Sequence, residues 1–136
     1  MRRWLVWSTA IVVAIAIALT VRTVRKDHRD KARIAGNQQA LRTYSQTFRP
    51  GISRNQVQDL LRKKETNFFE RCCYEERSAF AVLVQVGEED APWYCSSWPD
   101  FVVFEFTGTQ QGALLKPSPE DVLKDIHLAS NGEACL

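Results

Sequence analysis

The sequence lacks the short motifs that mark common catalytic and phosphate-binding sites. It contains no glycine-rich phosphate loop, no nucleophile elbow of the G-x-S-x-G type and no paired catalytic carboxylates. Histidine is scarce, with only His28 and His127 in the chain. We therefore identify no small-molecule substrate, no catalytic residue and no cofactor from the sequence.

A metal site is also not expected. Zinc-binding cysteine pairs are usually separated by about two to four residues, whereas Cys72 and Cys73 are adjacent. His28 lies in a polar segment well before them. The acidic residues 88–90 are not followed by the spacing of an EF-hand calcium loop and are predicted to form a solvated hairpin tip. The sequence therefore predicts no metal ligands.

Charge is distributed unevenly along the chain. Residues 1–36 contain eight Lys or Arg and two Asp, whereas residues 37–136 contain ten Lys or Arg and fourteen Asp or Glu. A nucleic-acid-binding domain would carry a basic patch on its folded part. The mildly acidic C-terminal part therefore argues against nucleic acid as a partner.

One long uncharged run, WLVWSTAIVVAIAIALTV, extends from Trp4 to Val21 without proline or glycine. A helix of that length covers about 27 Å, close to the ~30 Å of a bilayer core. Trp4 and Trp7 lie at one end, and indole rings favour the lipid–water boundary. The run predicts a transmembrane anchor over residues 1–24, with the lipid bilayer as a partner.

Two features disagree about the side of the membrane on which the C-terminal part lies. More basic residues follow the run than precede it, and the positive-inside rule then favours the cytoplasm. Four cysteines in about 100 residues instead favour an oxidising compartment. We expect a single-pass protein with an extracytoplasmic, periplasmic-side domain. A cleaved signal peptide is the alternative, because Ala14, Ala16 and Ala18 have the A-x-A spacing of a cleavage site.

The chain after the anchor is predicted to contain two parts. Residues 25–47 are polar, lack proline and are expected to form a helical juxtamembrane connector, with a weak break at Gly36 and Asn37. Residues 48–136 are expected to form a small α+β domain. Its strands are predicted at residues 67–74, 79–86, 101–106 and 122–128. Helices followed by three or four strands favour an antiparallel sheet that is covered on one face by the helices.

The segment FRPGISRNQVQDLLRKKE predicts a short amphipathic helix at the start of this domain. Ser53 at the N-cap and Gln56 three residues later can form a capping box. Val57, Leu60 and Leu61 then have the spacing of one apolar helix face. The charged residues of this helix are expected to form its solvated outer face.

The same segment resembles the opening helix of the small outer-membrane assembly lipoproteins of the SmpA/OmlA (BamE) type. The resemblance rests on Gly51, Ile52, Ser53, Val57, Leu60 and Leu61. It implies a helix packed on a three-stranded antiparallel sheet and a scaffold-like role. The chain departs from that family in two ways: it has no lipobox cysteine, and Arg62-Lys63-Lys64 replaces the Gly-x-Pro that follows the family's helix.

The four cysteines are predicted to form two structural disulfides. A bridge between Cys72 and Cys73 would close a strained ring, so we expect one of them to pair with Cys95 and the other with Cys135. The alternative is a thiol-dependent enzyme or redox protein that uses Cys72 or Cys73, with His127 as the base. Such an enzyme needs the thiol and the base in contact, and the sequence does not show this.

The stretch APWYCSSWPD places three aromatic residues, Trp93, Tyr94 and Trp98, between two prolines. Such residues are typical of protein-recognition surfaces. The alternative is packing of the rings over a neighbouring disulfide. The sequence therefore predicts a non-catalytic, membrane-anchored binding or assembly module with another protein as its partner.

Overall fold

The computed structural model describes residues 2–72, 80–107, 117–132 and 135, with side chains for all of these except residues 2–10 and Cys72. Two helices and four strands follow in chain order: α1 (Arg2–Thr47), α2 (Arg54–Lys63), β1 (Phe69–Cys72), β2 (Phe80–Glu89), β3 (Trp98–Thr107) and β4 (Val122–Ser130). The strands form one antiparallel sheet in the order β1-β2-β3-β4. The predicted α+β class with an antiparallel sheet of three to four strands is confirmed, and the sheet has four.

Helix α1 continues without interruption through Gly36 and Asn37, where a weak break was expected. By its internal contacts the chain divides into two units, residues 1–34 and residues 35–136. In the first unit, the large apolar side chains between Ile11 and Val21 are exposed. Among the side chains that the structure describes, which begin at residue 11, no helix has an apolar stretch long enough to cross a membrane.

The main hydrophobic core lies between the helices and one face of the sheet. Its buried residues are Phe48, Val57, Leu61, Val82, Val84, Val102, Phe104, Phe106 and Leu123. Ala40, Leu41 and Tyr44 of α1 pack against this core at the spacing of one helix face. A second buried cluster, Ala81, Leu83, Phe101 and Val103, lies on the opposite face, because alternate residues of a strand point to opposite sides of a sheet.

Helix α2 begins as its sequence predicts. The Ser53 hydroxyl accepts a hydrogen bond from the Gln56 backbone N–H, and the Gln56 side chain accepts one from the Ser53 N–H. Val57 and Leu61 are fully buried. The capping box and the apolar face of this helix are therefore confirmed.

Arg54 corrects the prediction that the charged residues of α2 all face solvent, because it is only 3% exposed. Its Nε donates to Asp121 at 3.3 Å, its Nη1 to Glu70 at 3.0 Å and its Nη2 to the Phe80 carbonyl at 2.7 Å. The guanidinium carbon also lies 4.2 Å from the centroid of the Phe106 ring. A planar guanidinium can donate several hydrogen bonds and stack on an aromatic ring at the same time. Arg54 thus connects α2 with β1, with the start of β2 and with the turn before β4.

A buried polar contact fixes the C-terminal part of α1 to the sheet. Asn37 Nδ2 donates a hydrogen bond to Asp100 Oδ2 at 2.8 Å, and both residues are buried. Gly87 lies against this pair at a β-bulge, where an added Cβ would be 2.9 Å from Asn37 Oδ1. Glycine permits this close approach of the backbone. The sequence predicted the end of a strand at Gly87, but β2 continues to Glu89.

Candidate functional site

The loop between β2 and β3, residues 90–97, presents two of the predicted surface aromatics to solvent. Trp93 is 91% exposed and Tyr94 is 42% exposed. Their rings meet edge to face, with centroids 5.7 Å apart. The Cys95 N–H donates to the Pro92 carbonyl at 2.9 Å, which closes a turn in the loop. Exposed Trp and Tyr are the residue types that most often dominate binding energy at protein interfaces.

A disulfide bond joins Cys95 of this loop to Cys135, 40 residues later in the sequence. The predicted connectivities, in which each of these cysteines paired with Cys72 or Cys73, are therefore wrong. The reason is the strand order: Ser130 at the end of β4 pairs with Asp100 near the start of β3, so the chain after β4 returns to this loop. Cys73 and the side chain of Cys72 lie outside the described residues.

The disulfide stabilises the arrangement of the loop. Closing a loop of 40 residues lowers the entropy of the unfolded chain and contributes about 4 kcal/mol to stability on the chain-entropy estimate. That contribution is a large part of the total stability of a small domain. The bridge therefore fixes the base of the loop from which Trp93 and Tyr94 extend.

Trp98, the third predicted surface aromatic, packs at the base of the loop. An added Cβ on Gly132 would lie 2.5 Å from the Trp98 ring and 2.6 Å from Cys135 Sγ. The Trp98 ring and the Cys135 sulfur therefore pack directly against the backbone of Gly132, which carries no side chain. Trp98 is partly buried at the start of β3. The three aromatics thus divide into an exposed pair and one ring that packs beside the disulfide.

A second surface feature is a cleft of about 460 Å³ between the end of α1 and α2. Ile52 and Leu60 line it together with Arg49, Asp59 and Lys63. The lining thus mixes apolar, basic and acidic side chains. This mixture does not define one class of ligand.

Glu105, Asp125 and His127 come together on the sheet face opposite the helices. Glu105 on β3 is the cross-strand partner of Asp125 on β4, and His127 follows two residues later. One ligating atom of each residue lies within 4.8 Å of the other two. His127 Nδ1 is 3.5 Å from Asp125 Oδ2, and Lys124 Nζ is 3.4 Å from Glu105 Oε1.

The sequence alone does not reveal this group, because the register between β3 and β4 brings Glu105 to the other two residues. The signal that was present is the Asp-x-His spacing in β4. Residues two apart in a strand point to the same face, so Asp125 and His127 are neighbours wherever that strand forms. The partner strand could not be identified from that spacing.

The thiol hypothesis needs a base close to Cys72 or Cys73. The strands that carry Cys72 and His127, β1 and β4, are the two outer strands of the sheet. With about 4.8 Å between neighbouring strands, their backbones are roughly 14 Å apart. Direct proton transfer requires about 3 Å between heavy atoms. The fold therefore does not support His127 as the base for Cys72.

Comparison of the chain with protein-family models, with curated proteins and with solved structures found no match.

Proposed function

We propose that this protein is a membrane-anchored, non-catalytic binding or assembly module that presents a rigid aromatic loop to a protein partner. The exposure of Trp93 on the loop held by the Cys95–Cys135 bridge is the observation that carries this proposal. A loop fixed before binding loses little conformational freedom when it binds, so more of the interaction energy contributes to affinity. The scaffold-like role implied by the BamE-type resemblance agrees with this function.

The membrane anchor is supported by the sequence and by the exposure of α1. The uncharged run from Trp4 to Val21 falls within this continuous helix. Ile11, Val12 and Val13 are each more than half exposed. Successive residues of a helix point about 100° apart, so these side chains face different directions. Burial against one neighbouring helix would cover a single face, whereas lipid covers the whole circumference.

The extracytoplasmic position of the C-terminal domain is part of the same proposal. Disulfides persist in oxidising compartments and are rare in the cytosol. The Cys95–Cys135 bridge therefore favours an extracytoplasmic domain. The basic residues after the anchor favour a cytoplasmic one.

Photo-crosslinking in intact cells tests the proposed partner surface. A benzophenone amino acid replaces Trp93 in the full chain, and the matched control replaces the exposed Glu88, which lies five residues earlier in β2. We expect illumination to give a discrete adduct at position 93 that is several times more abundant than at position 88. Substitution Tyr94→Ala should weaken the adduct.

The folded state of these variants serves as the control. Because Trp93 is 91% exposed, its replacement should leave the urea midpoint of unfolding unchanged. Equal adduct yields at positions 93 and 88, with both variants folded, would show that the aromatic loop is not the binding surface.

A further inference from the structure

We propose that Glu105, Asp125 and His127 form a binding site for a divalent transition-metal ion of the zinc class. The residues lie on the two neighbouring strands β3 and β4 and share one face of the sheet. This site is separate from the aromatic loop and does not depend on the function proposed for that loop.

The two carboxylates of the group lie close to each other on neighbouring strands. Glu105 and Asp125 are directly opposite in register, and Glu105 is only 7% exposed. Like charges at directly opposed positions of an antiparallel pair destabilise it. Lys124 supplies a positive charge 3.4 Å from Glu105. The side chains of Lys124 and Asp125 are 57% and 58% exposed, so solvent weakens both this attraction and the repulsion between the carboxylates. A cation held between both carboxylates would remove their repulsion.

His127 contributes a nitrogen that has no other role in the described structure. Its Nε2 is buried and has no hydrogen-bond partner among the described residues. Buried polar atoms are nearly always paired, and an unpaired atom costs free energy. His127 Nδ1 lies 3.5 Å from Asp125 Oδ2, so the ring is held beside the carboxylate. Imidazole is a common metal ligand and can bind through either ring nitrogen.

The donor set indicates the class of metal. An imidazole together with two carboxylates suits Zn²⁺ and related transition metals, whereas Mg²⁺ and Ca²⁺ prefer oxygen ligands alone. Ligands of a tetrahedral zinc ion are roughly 3.4 Å apart. The three atoms, which lie within 4.8 Å of one another, must therefore approach by at most about 1.4 Å, a change that side-chain rotation can supply. Three protein ligands leave one position for water.

Calorimetric titration of the untagged full chain in detergent with zinc chloride tests this site. We expect saturable binding of one ion per chain and far weaker binding of magnesium. His127→Gln and Asp125→Asn should each weaken zinc binding at least about tenfold, since even changes in the groups around metal ligands cost that much. The matched control is His28→Gln, which removes the other histidine, on the exposed surface of α1, and should change nothing.

Lys124→Met provides a second test, because the expected result is tighter zinc binding, which a folding defect would not produce. Removal of the competing cation beside Glu105 should strengthen zinc binding roughly three- to tenfold. Circular dichroism confirms that each variant is folded, and if His127→Gln fails to fold, Lys124→Met and Asp125→Asn decide the question. The proposal is overturned if the unaltered chain shows no saturable zinc binding, or if folded His127→Gln binds zinc as tightly as the unaltered chain.

Discussion

Two arginines of helix α2, Arg54 and Arg62, have carboxylate partners in very different surroundings. Arg54 contacts Asp121 and Glu70, and its side chain is 3% exposed. Arg62 contacts Asp59, and its side chain is 59% exposed. Exposed ion pairs contribute little to stability because water and salt screen them. Removal of one partner from a buried pair leaves an uncompensated charge behind, so the two arginines should respond differently to the same substitution.

Arg54→Met should lower the free energy of unfolding by about 3–5 kcal/mol, because it leaves Asp121 buried without its cation. Arg62→Met, the matched control on the same helix, should cost less than about 1 kcal/mol. Urea unfolding of the full chain in detergent, followed by circular dichroism, measures both. Arg54→Lys should also be destabilising, because an ammonium group cannot reproduce the planar fork. Equal losses for Arg54→Met and Arg62→Met would contradict this account.

At the scale of secondary-structure elements, the C-terminal part of α1 is held to the sheet by apolar packing and by one polar contact. Tyr44 and Phe48 meet the Phe104 ring edge to face, with centroids 5.6 and 5.2 Å away. Asn37 supplies the polar contact, three turns earlier, through Asp100 at the bulge that contains Gly87. The aromatic contacts bring the helix to the sheet, and the polar contact fixes its register.

Asn37→Leu should destabilise the domain by about 1–3 kcal/mol, because Asp100 loses a buried hydrogen-bond donor. The matched control is Gln38→Leu at the next, exposed position, which should have an effect within about 0.5 kcal/mol. Native-state hydrogen exchange should show faster exchange of the α1 amides between residues 37 and 47 in Asn37→Leu. Unchanged exchange there would mean that aromatic packing alone holds the helix.

Local sequence patterns predicted the helices and strands well, because such patterns depend only on residues that are close together in the chain. The capping box at Ser53 marks the start of α2, and period-two alternation of large apolar residues marks β2. A run of phenylalanine and valine marks β3. The sequence placed Pro99 in a loop, but β3 begins one residue earlier, at Trp98. A proline is tolerated near the start of a strand, so its presence did not mark the boundary.

Contacts between distant parts of the chain were not predictable in the same way. The burial of Arg54 depends on Asp121, and that of Asn37 on Asp100; these pairs are 67 and 63 residues apart. Both side chains looked like ordinary surface residues in the sequence. The group formed by Glu105, Asp125 and His127 and the Cys95–Cys135 pairing were missed for the same reason, since both require the register of β3 and β4.

At the scale of the whole C-terminal domain, the strand order places the aromatic loop and the group of Glu105, Asp125 and His127 at different positions along the sheet. The start of β3 and the end of β4 meet beside the disulfide, where the exposed aromatic pair extends from the loop. The group formed by Glu105, Asp125 and His127 lies further along the same two strands. A protein partner and a metal ion would therefore bind to the domain without sharing residues.

Cysteine labelling tests the proposed compartment. In a Cys72→Ser, Cys73→Ser variant, only Cys95 and Cys135 remain. A membrane-impermeant maleimide added to intact cells should label this variant only after reduction. The matched control adds Cys95→Ser, which frees Cys135 and should give labelling without reductant. Labelling that requires cell lysis, with no need for a reductant, would place the domain in the cytoplasm.

The meander order of the sheet also determines how quickly its parts can assemble. Each strand pairs with its neighbour along the chain, and a β-hairpin forms in about 1–10 μs because little loop entropy is lost. The Asn37–Asp100 and Arg54–Asp121 contacts join residues more than 60 positions apart and therefore form later. Cys135 reaches Cys95 only after β4 has paired with β3. Disulfide formation takes seconds to hours, far longer than strand pairing, so the bridge secures the pairing of β3 with β4 after that pairing has formed.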